Sequence, residues 1–308
     1  MVYYILRRGF IYGEEGFFMK KSAFFLIIIA GIMWGTSGLF VNALSPLGLS
    51  SLQMTNVRGF VAAICMVIYA LIRDRSLFKM SKGDFVLAIS GGISIFLTSW
   101  TYFASIQASS VATAVVLMYT APVMVMGFSV AFLGEKLTKM KMLSIVLMLI
   151  GCALVSGIIG GAEINLPGVL LGLAAGVSYS AYNIFTKLQM RKGSNPVSSS
   201  MYSFIGMGLV SLIVSNPAHT VSVAAGSVTY ALPLMIALGV CTCVLPYFLY
   251  TVALKNIPVG TAAALGIVEP MAATIFSIMF LGERLSVPSA IGIVLVIGSV
   301  FLLSRAEK

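Results

Sequence analysis

Charged residues are scarce in this chain. Asp, Glu, Lys and Arg make up only 9% of its 308 residues, whereas a soluble domain usually carries about 25%. Apolar and aromatic residues reach 59%, and the mean hydropathy is +1.06. So few charges cannot cover a surface that faces water. The composition therefore excludes an ordinary cytosolic enzyme and a disordered chain.

Residues that hold metals or form redox centres are also few. The single histidine, His219, lies beside Pro217 in a predicted loop, and no metal-binding partner stands near it in the sequence. All four cysteines lie inside hydrophobic runs, and Cys241 and Cys243 lack the two-residue spacer of a redox or zinc motif. The phosphate-binding motif G-x-x-x-x-G-K-[ST] does not occur. We therefore expect no metal, no cofactor and no step driven by ATP.

Long hydrophobic runs make up most of the sequence. A membrane-spanning helix needs about 20 apolar residues, so that ten helices take about 200 residues and leave short loops. The sequence predicts an all-α membrane protein with ten transmembrane helices, which we call spans one to ten. Their predicted ranges are 22–43, 51–72, 84–106, 111–132, 139–158, 167–188, 197–215, 230–254, 260–281 and 287–304.

The placement of basic residues predicts the orientation. The chain has 19 Lys and Arg against 9 Asp and Glu, a net charge of +10 that would also suit a nucleic-acid-binding protein. If the N-terminus is cytoplasmic, 17 of the 19 fall in cytoplasmic segments, and the outer loops hold only Arg284. Cytoplasmic loops of membrane proteins carry this excess of Lys and Arg. We therefore predict that both termini are cytoplasmic and that the partner is a lipid bilayer, with no nucleic acid.

Residues 1–21 form an N-terminal extension ahead of span one. Met19, Lys20 and Lys21 followed by an apolar run resemble the start of a bacterial membrane protein, which predicts the bacterial inner (cytoplasmic) membrane as its location. The segment Gly13-Glu14-Glu15-Gly16 has the composition of a ribosome-binding sequence read as protein. Our hypothesis is that Met19 is the true start, and N-terminal sequencing of the native protein tests it.

The second half of the chain repeats the first. Residues 102–156 align without gaps onto 250–304 at an offset of 148, and 18 of these 55 positions are identical. The identities include Pro122 with Pro270, and the run Leu-Gly-Glu that ends at Glu135 and again at Glu283. An ungapped match of this kind is not expected by chance between two apolar segments.

The repeat predicts the architecture. It divides the chain into two five-helix repeats at 22–158 and 167–304. Because the offset covers five spans, an odd number, the two copies cross the membrane in opposite directions. Inverted repeats are typical of secondary transporters, whose substrate site lies between the copies near the middle of the membrane.

Two signatures make the chain similar to a known family. They are YTAPVMVMGFSVAFLGEKL at 119–137 and IVEPMAATIFSIMFLGERL at 267–285, together with Trp34-Gly35 and Arg58. The chain resembles the drug/metabolite transporter superfamily, in its ten-span EamA-type branch, over nearly all of 22–304. The resemblance implies alternating-access transport of small metabolites, often export of amino acids or related compounds, through a cavity between the two halves. The signatures do not indicate a substrate.

Glu269 is an ionisable residue deep inside span nine. A charge at the centre of a spanning helix costs about 2.5–3.5 kcal/mol on insertion scales, so such a residue is a functional candidate by default. Pro270 and its counterpart Pro122 predict helix kinks, whereas Ala121 stands where the second repeat has Glu269. The charge is therefore not part of the repeat. We predict that Glu269 binds a cationic group or carries a proton; a buried carboxylate held by neighbouring hydroxyls is the alternative.

Arg58 is the second ionisable residue inside a span. It lies in span two near Gln53, Thr55 and Asn56. A guanidinium there predicts a forked contact with a substrate carboxylate. The alternatives are an anchor bonded to helix-end carbonyls, or a partner of Glu269.

Polar and aromatic residues recur at helical spacing on two further spans. Tyr179, Tyr182, Asn183 and Thr186 share one face of span six, and Trp34 and Ser37 share one face of span one. Facing the interface between the repeats, these side chains predict the wall of a substrate cavity. The alternative is packing or an interfacial belt, which we favour for Tyr102 and Tyr250 because they lie near span ends.

Two glycine pairs predict close helix approach. They are Gly31 with Gly35, and Gly172 with Gly176. We interpret both pairs as packing within the chain, and a homodimer face is the alternative.

Together these features predict a secondary-active transporter, and not an enzyme, that exports a small organic metabolite. Glu269 and Arg58 suit a zwitterion such as an amino acid if both face the cavity. A passive channel is the main alternative, because the same repeat could line a pore. An integral-membrane lipid enzyme lacks a nucleophile–base set or metal ligands here, and a scaffold protein lacks a sizeable loop or tail.

Overall fold

The protein is helical throughout the described chain. The computed structural model describes residues 14–121, 123–124, 127, 138–155, 165–254 and 268–306. Within these ranges helices are joined by short turns, and no strand occurs. By length and composition, 6 of the described helices can cross a membrane, and two shorter apolar helices lie at Val268–Leu281 and Val287–Ser299. The predicted all-α membrane fold is confirmed.

Each predicted span contains a described helix. In chain order the helices are Glu14–Gly35 and Ser37–Leu44 (span one), Ser51–Arg73 (two), Lys82–Ala108 (three), Val111–Met118 (four), Lys139–Val155 (five), Leu166–Arg191 (six), Pro196–Val214 (seven), Ala231–Gly239, Val240–Val244 and Leu245–Leu254 (eight), Val268–Leu281 (nine) and Val287–Ala306 (ten). The predicted kink at Pro122 lies outside the described residues, as do residues 1–13 and 260–267. Pro270 lies in the first turn of the described helix of span nine.

Local sequence explains where several helices begin. Span two opens with a capping box, in which the Ser50 hydroxyl accepts from the Gln53 amide and the Gln53 side chain accepts from the Ser50 amide. Ser81 and Ser110 cap spans three and four without the reciprocal bond, and the hydroxyl of each accepts from an amide of the first turn. These caps fix the helix starts at the ends of short loops.

One short helix was not expected from the sequence. His219 was predicted in a loop, but it lies in the helix Pro217–Gly226. Asn216 caps this helix through its side chain, and Pro217 occupies the first turn, where a missing amide costs nothing. Nδ1 of His219 lies 2.9 Å from Nε2 of Gln53, which ties the helix to the start of span two.

The contacts between spans follow a two-fold pattern. Span three packs on span six, and span eight packs correspondingly on span one. Span four packs on span six, and span nine correspondingly packs on span one. Span seven packs on span three, and span two correspondingly packs on span eight. Spans two and seven, four and nine, and five and ten pack as pairs. Advancing the spans by five positions therefore reproduces each of these contacts, which is the pattern of two related five-helix repeats.

Glycine brings span one close to span nine. A Cβ atom at Gly35 would lie 2.8 Å from Cβ of Ala272, and one at Gly31 would lie 3.1 Å from Cβ of Val268. Gly172 and Gly176 contact span four in a similar way, where a Cβ at Gly176 would lie 2.5 Å from the Thr120 hydroxyl. Both glycine pairs thus contact helices of the same chain, as the packing interpretation expects.

Candidate functional site

A polar cavity lies between the two halves of the described chain. The volume of the cavity is about 410 Å³, including the solvent-filled space at its opening. Spans one to four and spans six, eight and nine contribute its lining. The lining residues are Trp34, Ser37, Arg58, Thr98, Ser99, Tyr102, Met118, Tyr179, Tyr247 and Glu269. One buried base and one buried acid therefore share a single cavity at the interface between the repeats.

Span one is interrupted where it meets the cavity. The helix Glu14–Gly35 ends one residue before the helix Ser37–Leu44 begins, and the Thr36 hydroxyl donates to the Met33 carbonyl at 2.6 Å. Trp34 and Ser37, on either side of this turn, both line the cavity. Nε1 of Trp34 is buried and has no hydrogen-bond partner within the described chain. A buried donor of this kind is available to an acceptor on a ligand.

Aromatic rings form a continuous row beside the cavity. Trp34 contacts Tyr247 edge to face at 5.1 Å and Tyr250 at 5.6 Å. Tyr247 also contacts Tyr182 at 6.1 Å, and Tyr182 stacks on Tyr179 at 6.4 Å. Such arrangements are favourable for aromatic pairs. The row connects spans one, six and eight, so aromatic side chains from both halves of the protein pack together along the cavity wall.

Glu269 is bonded across the interface between the repeats. Its side chain is 7% exposed, and its Oε2 accepts a hydrogen bond of 2.9 Å from the Tyr119 hydroxyl. Tyr119 belongs to span four and Glu269 to span nine, so the bond connects symmetry-related spans of the two repeats. This partner satisfies one carboxylate oxygen of an otherwise costly buried acid.

Arg58 is held by groups from two other spans. Its Nη1 donates to the Ser99 hydroxyl at 3.2 Å, and its Nη2 donates to the Thr242 carbonyl at 2.6 Å. The guanidinium carbon lies 5.7 Å from the centroid of the Phe103 ring. Nε is buried without a hydrogen-bond partner in the described part of the chain. The hydrogen bonds of Arg58 and Glu269 go to different groups, although both side chains line the cavity.

The structure gathers most of the predicted site residues. Trp34, Ser37, Arg58, Tyr179 and Glu269 all line the cavity. Tyr182 and Asn183 are not among the lining residues. Tyr182 lies behind the wall, stacked on Tyr179, and the Asn183 amide donates to the Tyr179 carbonyl one turn back in its own helix.

Other lining residues were not singled out as site residues. Thr98, Ser99 and Met118 are short or flexible side chains without a distinctive sequence pattern. Tyr102 was assigned to packing because it lies near a span end, yet it is 3% exposed and lines the cavity.

Comparisons with known proteins agree with this architecture. The profile of the EamA-like transporter family matches residues 21–157 and 166–305. An uncharacterized transporter of Archaeoglobus fulgidus is 29% identical over 91% of this chain and 95% of its own length. The uncharacterized inner membrane transporter YicL of Salmonella typhimurium is 23% identical over 92% of this chain and 95% of its own length.

Two further similarities extend the comparison. The threonine/homoserine exporter RhtA of Salmonella typhimurium is 28% identical over 63% of each chain. A solved crystal structure shares the fold with a TM-score of 0.62 and 17% identity, over 94% of this chain and 99% of that chain. The predicted resemblance and the prediction of a transporter, and not an enzyme, are confirmed by the family match. This multi-pass membrane protein belongs to the EamA-like transporter family.

Proposed function

We propose that the protein is a secondary-active exporter of an amino acid or a related zwitterion, working by alternating access in the bacterial inner membrane. The observation that carries the proposal is that Arg58 and Glu269 line one cavity between the repeats. A guanidinium suits a carboxylate, and a carboxylate suits an ammonium group. A substrate with both groups would neutralise both buried charges at once.

The direction and the orientation belong to the same proposal. The similarity to an exporter of threonine and homoserine supports export of an amino acid. The basic residues in alternate loops support cytoplasmic termini. Because no motif for nucleotide phosphates occurs in the sequence, the energy comes from an ion or solute gradient. Glu269 is the group that would carry the coupling proton.

Counterflow in proteoliposomes tests the proposal. Vesicles loaded with unlabelled L-threonine, L-homoserine or other amino acids are diluted into the labelled compound at two pH values. We expect saturable accumulation by the wild-type protein, and loss of both accumulation and its pH dependence in Glu269→Gln. Asp74→Asn, which neutralises an exposed loop carboxylate, is the matched control and should behave as wild type.

The contrary outcomes are distinct. Flux that rises linearly with concentration and shows no counterflow would identify a channel. Saturable exchange that survives unchanged in Glu269→Gln would make Glu269 a structural residue. The absence of exchange for every amino acid would reject the zwitterion proposal while leaving the family assignment in place.

A further inference from the structure

Span eight contains an irregular segment beside the cavity. The helix Ala231–Gly239 passes into a π-helical segment, Val240–Val244, before the helix Leu245–Leu254 begins. Within it the Leu245 amide donates to the Val240 carbonyl five residues earlier. π-helical turns are rare, and they occur frequently at functional sites because they alter which backbone groups are paired.

This segment lies against span two. A Cβ atom at Gly239 would come within 2.5 Å of Cβ of Val61, so the two spans touch closely just before the π-helical turn. The Thr242 hydroxyl donates to the Leu238 carbonyl at 2.6 Å. The Thr242 carbonyl accepts from Arg58. Pro246, four residues after Thr242, has no N–H, so this carbonyl lacks an α-helical donor and is available to a side chain of the other half of the protein.

The two acceptors bond the terminal nitrogens of Arg58, and the Cys243 thiol also lies against the guanidinium. Ser99 takes Nη1 and Thr242 takes Nη2, whereas Nε–H is unpaired within the described chain. Arg58 is 6% exposed and lines the cavity. A carboxylate binds a guanidinium most strongly through two parallel N–H groups on one edge. On the edge formed by Nε and Nη2, Nε–H has no partner within the described chain, and Nη2 keeps a second N–H besides the one bonded to Thr242.

The first repeat has no equivalent of this arrangement. When the offset of 148 is extended upstream, residues 240–244 correspond to 92–96, which lie within the uninterrupted helix Lys82–Ala108. The same offset places Gly206 opposite Arg58. Neither the π-helical segment nor the arginine that it contacts therefore has a counterpart at the corresponding positions of the other repeat.

We propose that the π-helical segment Val240–Val244 positions Arg58 to recognise an anionic group of the substrate, with the Thr242 carbonyl and the Ser99 hydroxyl as its two positioning groups. The proposal rests on the proposed function, since it assigns the carboxylate of the zwitterion to the Nε edge of Arg58. Arg58 contacts the substrate, and Thr242 and Ser99 act through Arg58.

Two variants remove the positioning groups one at a time. Deletion of Cys241 takes one residue out of the wide turn. The Thr242 carbonyl then turns by about 100° relative to the helix Ala231–Gly239, which packs on span two, and so turns away from Arg58. Ser99→Ala removes the other acceptor without changing the length of any helix. Cys241→Ala is the matched control, because it changes the same side chain and keeps the backbone.

The first readout requires no substrate. Arginine labelled with ¹⁵N gives Nε–H signals in NMR spectra, and the Arg58 signal is identified by its disappearance in Arg58→Lys. We expect the Arg58 signal to shift in the deletion of Cys241 and in Ser99→Ala, and to stay in place in Cys241→Ala. A signal that does not move in the deletion or in Ser99→Ala overturns the positioning role.

The second readout measures recognition of the carboxylate. Unlabelled L-threonine and L-threoninamide compete with labelled L-threonine in counterflow, and their half-inhibitory concentrations are compared. In wild type we expect the acid to compete at least tenfold better than the amide, as for a hydrogen bond to a charged group. The deletion and Ser99→Ala should lower this preference at least threefold, and Cys241→Ala should retain it.

The outcomes separate this inference from the proposed function. A merely structural defect lowers the maximal rate for both competitors and leaves their ratio unchanged, which would reject the positioning role. If wild type exchanges no amino acid, the proposed function fails, and the NMR signal of the ligand-free protein still decides whether span eight positions Arg58.

Discussion

The Tyr119 hydroxyl donates a 2.9 Å hydrogen bond to Oε2 of Glu269, across 150 positions of sequence. Both residues are 7% exposed. The two side chains come from spans that correspond to each other in the two repeats, and Glu269 lines the cavity. A hydrogen bond to a charged group contributes about 1.5–3 kcal/mol. This bond therefore stabilises the contact between the halves beside the cavity.

We expect Tyr119→Phe and Glu269→Gln to be coupled. Each variant alone should lower the free energy of unfolding, and the loss in the double variant should be smaller than the two losses added, by about 0.5–3 kcal/mol. Unfolding in detergent mixtures, followed by fluorescence, provides the measurement. Tyr230→Phe, at a residue that is 56% exposed, is the control. Strictly additive losses would show that the bond does not stabilise the folded protein.

Gly35 should not tolerate a methyl group. A Cβ there would meet Cβ of Ala272 at 2.8 Å and the Ala273 amide nitrogen at 2.9 Å, so span nine would have to move. Overpacking of this kind costs about 1–3 kcal/mol. We expect Gly35→Ala to lower the Tm and the yield of folded protein. Gly298→Ala is the control, since among the described residues no atom of another helix lies within 4 Å of its added Cβ, and its Tm should be unchanged or higher.

Much of the fold could be predicted because its causes are local in sequence. Apolar runs give the spans, and the capping residues, such as Ser50, mark where several of them begin. Gly31 and Gly35 predicted a close helix contact because only small side chains permit one. Arg58 and Glu269 stood out because charge inside a span is expensive.

Other features depend on packing between distant segments and could not be predicted. Pro246 marks an interrupted helix in span eight, because it cannot donate to the Thr242 carbonyl, but the sequence Val-Cys-Thr-Cys-Val does not itself indicate a π-helical turn. The acceptors of Arg58 are a hydroxyl of span three and a backbone carbonyl of span eight. Asn183 shares a helical face with Tyr179, but helical spacing does not determine how deep each side chain reaches.

Glu283 is expected to anchor the end of span nine to the start of span four. Its Oε1 accepts from the Val111 amide at 2.9 Å, in the first turn of span four, where amides lack partners within the helix. Glu283→Ala should lower the free energy of unfolding by about 1–3 kcal/mol because that amide loses its acceptor. Glu283→Gln keeps an oxygen and should lose less. Arg284→Ala, at the exposed neighbouring residue, should have little effect, and an equal loss there would reject the assignment.

Trp34 should contribute to transport more than to stability. Its Nε1–H is buried without a partner in the described chain, so removing it takes away no hydrogen bond that holds the fold. Trp34→Phe should raise the half-saturating concentration of L-threonine in counterflow about 5–10-fold, the cost expected when a substrate acceptor loses its donor. The free energy of unfolding should fall by no more than about 1 kcal/mol, since the smaller ring still packs against Tyr247.

The other tryptophan of the chain provides the control for that experiment. Trp100 stacks on Phe96 at 6.1 Å and is not among the residues that line the cavity. Trp100→Phe makes the same chemical change in the same membrane environment, so its half-saturating concentration should remain at the wild-type value. If both variants weaken transport equally, the effect comes from general loosening of the helices. If only Trp34→Phe does so while stability is kept, the indole N–H of Trp34 contacts the substrate.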